Sequence, residues 1–268
     1  SRSSAASDVY KRQMQAAMQP RTRRRPPVLP RTARAAVLLL AATLAGCEGP
    51  GRVVPTLPTP LTEFHPASPR PTPRPSATPP PAARGDIRGA RIVIDAGHGG
   101  RDPGAGRGTR SRLPEKTITL DIANRLVKTL ASMGATVYPT RTGDTYPSLN
   151  DRVALAERVK ADLFVSIHAD SARNPDASGV GIFIYNQAST ASQRAAMRMA
   201  AAIEAAGLEC RGVQRANFHV LREHNRPAML IECGFLTNAG DAARLNDPDH
   251  RARLAAAIAD GIVRFFAK

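Results

Sequence analysis

Apolar positions recur with the period of a strand or a helix only from about Asp86 onward. "RIVIDAG" (91–97) is a short, continuous, β-branched run, which predicts a buried strand. "EKTITLDIANRLVKTLASMG" (115–134) places Ile118, Ile122, Leu126 and Leu130 one turn apart and ends on Gly134, so it predicts an amphipathic helix stopped by glycine. "ATVYPTR" predicts a second strand, and "SLNDRVALAERVKA" a second helix, capped near Asn150 or Asp151. "DLFVSIHAD" and "GVGIFIYN" read as two more strands, followed by an alanine-rich helix in "STASQRAAMRMAAAIEAAG". "FHVL" reads as a short strand and "PAMLIECG" as another buried one. The closing "HRARLAAAIADGIVRFF" sets Leu254, Ile258, Ile262 and Phe265 along one helical face. Strands alternating with helices predict a single three-layer α/β domain over residues 86–268, with a mostly parallel twisted sheet flanked by helices.

Upstream the pattern is of another kind. Residues 1–13, with "DVYKRQ", resemble a translated adapter tag and are set aside as non-native sequence, with a native start at Met14 or Met18. Residues 14–47 read as an export signal. A basic stretch, "RTRRRPPVLPRTAR", precedes the apolar run Ala35 to Gly46, which is shorter than the ~20 residues that span a bilayer. Leu44-Ala45-Gly46-Cys47 resembles a bacterial lipobox, which implies lipidation of Cys47 and a membrane anchor. Residues 48–85 are proline-rich and offer little to bury, so they predict a disordered, extended tether. His65 belongs to that linker.

Charge follows the same division. The formal net charge is +16, and +10 of it lies in residues 1–90. The folded part is only mildly basic and poor in aromatics, which argues against a nucleic-acid protein and suits an anionic polymer or surface. Once Cys47 is assigned, Cys210 and Cys233 remain, either as a disulfide or as two free thiols. Nothing in the chain demands more than a monomer.

The candidate chemistry lies at strand ends. In open α/β sheets ligands gather beyond the carboxyl ends of the strands. His98 follows the first strand in "DAGHGG", His168 closes the third in "SIHAD", and Glu232 closes the late strand in "IECGF". Glu115 opens the helix entered from the first strand's loop. Two imidazoles and one carboxylate with a fourth position open form a known catalytic zinc set, and the remaining acid is then free to act as a base. The glycines around His98 leave room for a metal and a substrate. Asp95 and Asp170 are candidates to orient a ligand imidazole, or else to cap loops. His219 reads as structural, His224 and His250 as surface residues, and Cys233 as core.

Four blocks carry a resemblance: "IVIDAGHGGRDPGA", the Glu115-Lys116 pair opening a helix, "YPTRTGDTYPSLNDRVALAERVKADLFVSIHAD", and "NFHVLREHNRPAMLIECGFLTNAGDAARLNDPDHRARLAAAIADGI". Together, and in this order, they resemble the zinc-dependent N-acetylmuramoyl-L-alanine amidases of bacterial cell-wall turnover. The resemblance implies one Zn2+ held by His98, Glu115 and His168, with Glu232 as general base and then acid. It implies cleavage of the amide between N-acetylmuramic acid and L-alanine in peptidoglycan, in the periplasmic space. Arg141 and Asn238 also match family positions, with salt-bridge and cap readings open for them. Some relatives carry a helical insertion that plugs the site after the strand matching "GIFIYN". Between Asn186 and Phe218 this chain has room for little more than one helix, so an unplugged site is expected. Two other readings stay open: a catalytically inert wall-binding protein on the same fold, and a zinc hydrolase of a different amide.

Overall fold

In the computed structural model, which describes residues 85–105 and 108–267, strands and helices alternate as the periodicity predicts. The order is β1 (Arg91–Ala96), α1 (Glu115–Ser132), β2 (Thr136–Pro139), α2 (Leu149–Arg158), β3 (Leu163–Asp170), β4 (Val180–Tyr185), α3 (Thr190–Ala205), β5 (Cys210–Ala216), α4 (His219–Arg222), β6 (Ala228–Phe235), α5 (Ala239–Asn246) and α6 (Pro248–Phe266). One six-stranded sheet has the order β2-β1-β3-β6-β4-β5. Strands β2, β1, β3 and β6 are parallel to one another. Strand β4 runs antiparallel to β6 and carries β5 parallel to itself. The proposed artefact, signal with Cys47, His65 and all but the last residue of the linker lie outside the described residues.

Alternation along the strands sorts the core into two layers. Ile92, Ile94, Val165, Ile167, Met229 and Ile231 face a large apolar layer completed by α1, α3 and α6. Val93, Phe164, Leu230 and Phe183 face the other side and pack with residues of α2 and α4. On that second face the apolar residues stop half-way along. The next positions of the same parity are Asp95, Ser166, His168, Asp170 and Glu232, all of them buried. A polar floor is thereby built at the carboxyl ends of the parallel strands.

Local signals account for most boundaries. Gly134, at φ 90°, follows the end of α1 and donates its N–H to Ala131 O at 3.0 Å. Helix α2 begins earlier than expected: Ser148 is the cap and Asp151 its reciprocal partner, so Asp151 closes a capping box instead of serving as the cap. "FHVL" is not a strand. A helical turn lets Phe218, Val220 and Leu221 all join the second apolar cluster, whereas a strand would bury only alternate ones. The sixth strand is β5, "CRGVQRA", where glycine and polar side chains on an edge strand leave no apolar alternation to read. Cys210 and Cys233 are free thiols. Cys210 pairs with Val180 on β4, which itself lies between β5 and β6, so two strand spacings of ~4.8 Å separate the cysteines, beyond the reach of a disulfide. Burial pushes the Cys233 thiol up, which keeps it protonated.

Helices α3 and α6 approach closely at Gly261, where an added Cβ would stand 2.6 Å from Met199 Sδ and 3.0 Å from Met199 Cα. Helix propensity alone favours alanine there by about 1 kcal/mol. Overpacking typically costs about 1–3 kcal/mol, and the backbone contact at Met199 gives it little relief. Gly261→Ala is therefore expected to lower the denaturant midpoint. A midpoint unchanged or raised would show that the two helices separate freely.

Candidate metal centre

The centre begins with a backbone that turns sharply after β1. His98 takes a left-handed conformation at φ 61°, which is strained for a residue bearing a Cβ. Two buried arginines hold the turn. Arg152 donates to Ala96 O at 2.7 Å and to His98 O at 2.8 Å, and pairs with Asp95. Arg141 donates to Ala96 O at 2.9 Å, Gly97 O at 2.9 Å and Lys116 O at 2.8 Å, which ties the turn to the first turn of α1. Gly97 is required by close approach, because a Cβ there would stand 2.3 Å from the His168 ring.

Three side chains meet above the turn. Glu115, the first residue of α1, places Oε1 3.0 Å from His98 Nε2 and 3.1 Å from His168 Nδ1. The same oxygen accepts from Ala169 N at 3.0 Å, and Oε2 accepts from Ala105 N at 2.6 Å. The imidazole centroids are 4.9 Å apart with the rings at 79°, nearly edge to face. One ligand atom from each residue lies within 4.8 Å of the other two, and all three residues are buried. Donors at that spacing suit a divalent ion with bonds of ~2.0–2.2 Å. His98 Nδ1 lies 2.8 Å from Asp102 Oδ2, the contact by which a carboxylate fixes the tautomer of a metal-ligating imidazole.

Glu232 lies beside them. It pairs in register with His168 on the neighbouring strand, so both side chains leave the same face of the sheet. Across from it on β4 is Gly181, where even an added Cβ would remain 3.8 Å from Glu232 Cβ. Glu232 is fully buried, and among the described residues neither carboxylate oxygen has a hydrogen-bond partner. Leaving a buried carboxyl group unmatched costs about 1–3 kcal/mol or more, so the described residues do not complete this site by themselves.

The electrostatics follow from burial and from these contacts. Burial, with Asp170 and Glu115 close by, raises Glu232 well above the usual carboxylate range. Burial also raises Asp170 to about 7. Burial would raise Glu115 too, but the His98 and His168 imidazoles hold it well below its ordinary value. Burial opposes a charge on His98, yet Glu115 and Asp102 together bring it up to about 9. His168 is lowered, chiefly by burial.

The structure thus brings together His98, Glu115, His168 and Glu232. Asp95 acts on the turn: it accepts from Thr140 Oγ1 at 2.7 Å and Ser166 Oγ at 2.6 Å besides pairing with Arg152. Asp170 accepts from Ser171 N, while its second oxygen is buried with no partner among the described residues. Arg141 grips backbone carbonyls instead of forming a salt bridge, and Asn238 caps α5. His219 bonds Asn150 at 2.8 Å, away from the centre. His224 and His250 are half-buried instead of lying on the surface, and the His224 ring packs against Phe164. Two contributors escape a reading of the sequence. Asp102 was signalled only by an acid four residues after a loop histidine. Arg152 was signalled only by a charge one turn from Ala156 on the buried stripe of α2.

Two outcomes follow for the metal-free and loaded states. Folding raises His98 from 6.5 to about 9, so the stability it contributes is full below pH 6.5 and is lost as pH rises through 9. A metal ion held by His98 would replace that proton, so any rise in Tm on adding a divalent ion such as zinc is expected to grow between pH 6.5 and about 9. An increment flat across that range contradicts the assignment. Asp102→Asn is expected to weaken metal affinity by about 10–100-fold in a chelator competition, with the fold intact. Unchanged affinity would remove Asp102 from the centre.

Comparison with known proteins agrees with this geometry. A family described as N-acetylmuramoyl-L-alanine amidase matches residues 92–264. Over 182 residues the chain is 40% identical to a probable cell wall amidase, LytH, of Staphylococcus aureus, covering 67% of this chain and 60% of that protein. The catalytic domain of CwlV, an N-acetylmuramoyl-L-alanine amidase from Bacillus (Paenibacillus) polymyxa, is 40% identical and superposes with a TM-score of 0.60, over 66% of this chain and 97% of that one. An N-acetylmuramoyl-L-alanine amidase of Clostridium difficile 630 is 35% identical, with a TM-score of 0.63, over 66% and 97% of the two chains. A family match spanning the whole sheet, from β1 into the last helix, encloses every residue of the centre, and the chain belongs to the N-acetylmuramoyl-L-alanine amidase family.

Proposed function

We propose that the protein is a zinc-dependent hydrolase of peptidoglycan, cleaving the amide between the lactyl group of N-acetylmuramic acid and the L-alanine of the stem peptide. The observation that carries this reading is the fully buried, unpartnered carboxylate of Glu232, in register with His168 beside a His98–Glu115–His168 cluster. His98, Glu115 and His168 would hold the ion. When bound, zinc supplies Lewis acidity, which polarises a carbonyl and acidifies water.

The chain's own residues do the rest. Glu115 brings the negative charge that makes two neighbouring imidazoles a cation site, and Asp102 keeps the His98 Nε2 lone pair directed inward. Glu232, raised by burial, takes a proton from the attacking water and delivers it to the departing alanine nitrogen. Its position on β6, between β3 and β4, keeps that carboxylate from wandering. Gly181, across from Glu232 on β4, adds no side chain of its own beside that carboxylate.

Access and location belong to the same proposal. Between β4 and β5 the chain forms one helix, α3, whose buried face joins the layer shared with α6. That helix is committed to the core, which supports an unplugged site active without a partner. Among the described residues no helix is long and apolar enough to cross a membrane. The export signal of residues 14–47, lipidated at Cys47, and the tether of residues 48–85 would place the domain outside the cytoplasm and anchored to a membrane, acting as a monomer.

The test is digestion of intact peptidoglycan by the zinc-loaded protein, with products identified by mass spectrometry. Free stem peptides beginning at L-alanine are expected. Glu232→Gln is expected to slow their release by about 10²–10⁴-fold while the metal is retained. Undiminished release by that variant would sink the role of Glu232, and intact sacculi with bound metal would sink the hydrolase reading.

A further inference from the structure

An arginine on the edge strand lies next to a local irregularity of the sheet, at the end of β5 nearest this site. Val180 pairs with Cys210 and Ile182 with Val213, so three steps along β5 face two along β4. The extra residue falls at Arg211–Gly212, and Gly212 has φ 75°, a conformation that glycine adopts without cost. Such a bulge re-aims the side chain beside it, and bulges concentrate next to active sites.

The re-aimed side chain is braced. The Arg211 guanidinium carbon lies 4.7 Å from the centroid of the Phe235 ring, and Phe235 is fully buried at the end of β6, three residues after Glu232. Stacking of this kind restrains a long side chain without using up its donors. Arg211 is exposed, and among the described residues no carboxylate or carbonyl is bonded to its fork. Its charge nevertheless reaches Asp170 and Glu232, where it opposes part of the upward push of burial. The floor of the site otherwise carries the carboxyl groups of Glu115, Glu232, Asp170 and Asp102 beside the His98 and His168 imidazoles.

We propose that Arg211 forms a carboxylate-binding subsite at the rim of the centre, taking a free carboxylate on the peptide side of the scissile amide. The inference rests on the hydrolase reading: a stem peptide whose second residue is an unmodified D-glutamate carries a free carboxylate close to the scissile amide, and the guanidinium fork matches it in two parallel hydrogen bonds. Arg211 is thereby a specificity-determining residue: it selects substrates by their charge and leaves the bond-breaking step to Glu232.

The experiment compares N-acetylmuramoyl-L-alanyl-D-glutamate with the same compound bearing carboxamides in place of both carboxyl groups. Turnover of each by the zinc-loaded protein and calorimetric binding of each are measured for the wild type, Arg211→Gln and Arg211→Lys. The wild type is expected to favour the acid form by about tenfold, mainly through KM, as one charge-assisted hydrogen-bonded pair allows. Arg211→Gln is expected to bring that ratio near one, and Arg211→Lys to keep part of it. A ratio of one in the wild type, or the same ratio in Arg211→Gln, overturns the proposal. If neither compound is turned over by the wild type, the hydrolase reading fails for these substrates, and the acid-to-amide ratio of binding constants still decides the subsite.

Discussion

Three consecutive carbonyls, those of Ala96, Gly97 and His98, point at two buried guanidinium groups, and the centre depends on that grip. A left-handed His98 is unfavourable by itself, and residues in such conformations persist only when their surroundings over-determine them. Arg152 and Arg141 provide that surplus of bonds. Burying two cations side by side is costly in turn: burial and the neighbouring Arg152 charge lower the Arg141 pKa. Asp95 offsets one charge directly, and the carbonyl dipoles offset the other. Removing either arginine would release the turn and leave the remaining polar groups buried without partners, so the cost would exceed that of a single hydrogen bond.

The two faces of the sheet divide stability from chemistry. One face is apolar from end to end and is covered by α1, α3 and α6. The other is apolar only where α2 and α4 cover it, and it becomes acidic and imidazole-bearing toward the strand ends. Raised carboxylates at Asp170 and Glu232 beside a lowered one at Glu115 are what this second region yields when burial competes with imidazole partners. Groups of one chemical type pushed in opposite directions within one cluster mark a functional site more specifically than any one of them does.

The main residues of the centre were legible because each lies where a recognisable period ends. His98, His168 and Glu232 lie just past or at the close of apolar strands, and Glu115 opens a helix after Pro114. What stayed hidden was tertiary. Arg152 looks like a solvent-facing charge until α2 packs and turns its stripe inward. Asp95 has the composition of an imidazole partner, but the turn claims it. "FHVL" carries strand-favouring Phe218 and Val220, yet a turn of helix buries more of it than alternation could. Strand β5 is invisible to periodicity because its edge position demands no apolar face, and the bulge at Arg211–Gly212 breaks even the alternation it has.

That hidden strand follows from the one antiparallel step in the sheet. Had β4 continued the parallel order beside β6, its carboxyl end would lie at the centre and its start at the opposite edge. Because β4 runs the other way, its beginning lies against Glu232, with Gly181 directly across. Strand β5, parallel to β4, then also begins at that edge, and its second residue, Arg211, reaches the Phe235 ring. The reversal therefore does two things at once. It puts a residue without a side chain beside the buried carboxylate, and it brings a cation close to Asp170 and Glu232. A wholly parallel sheet would have needed separate insertions for each.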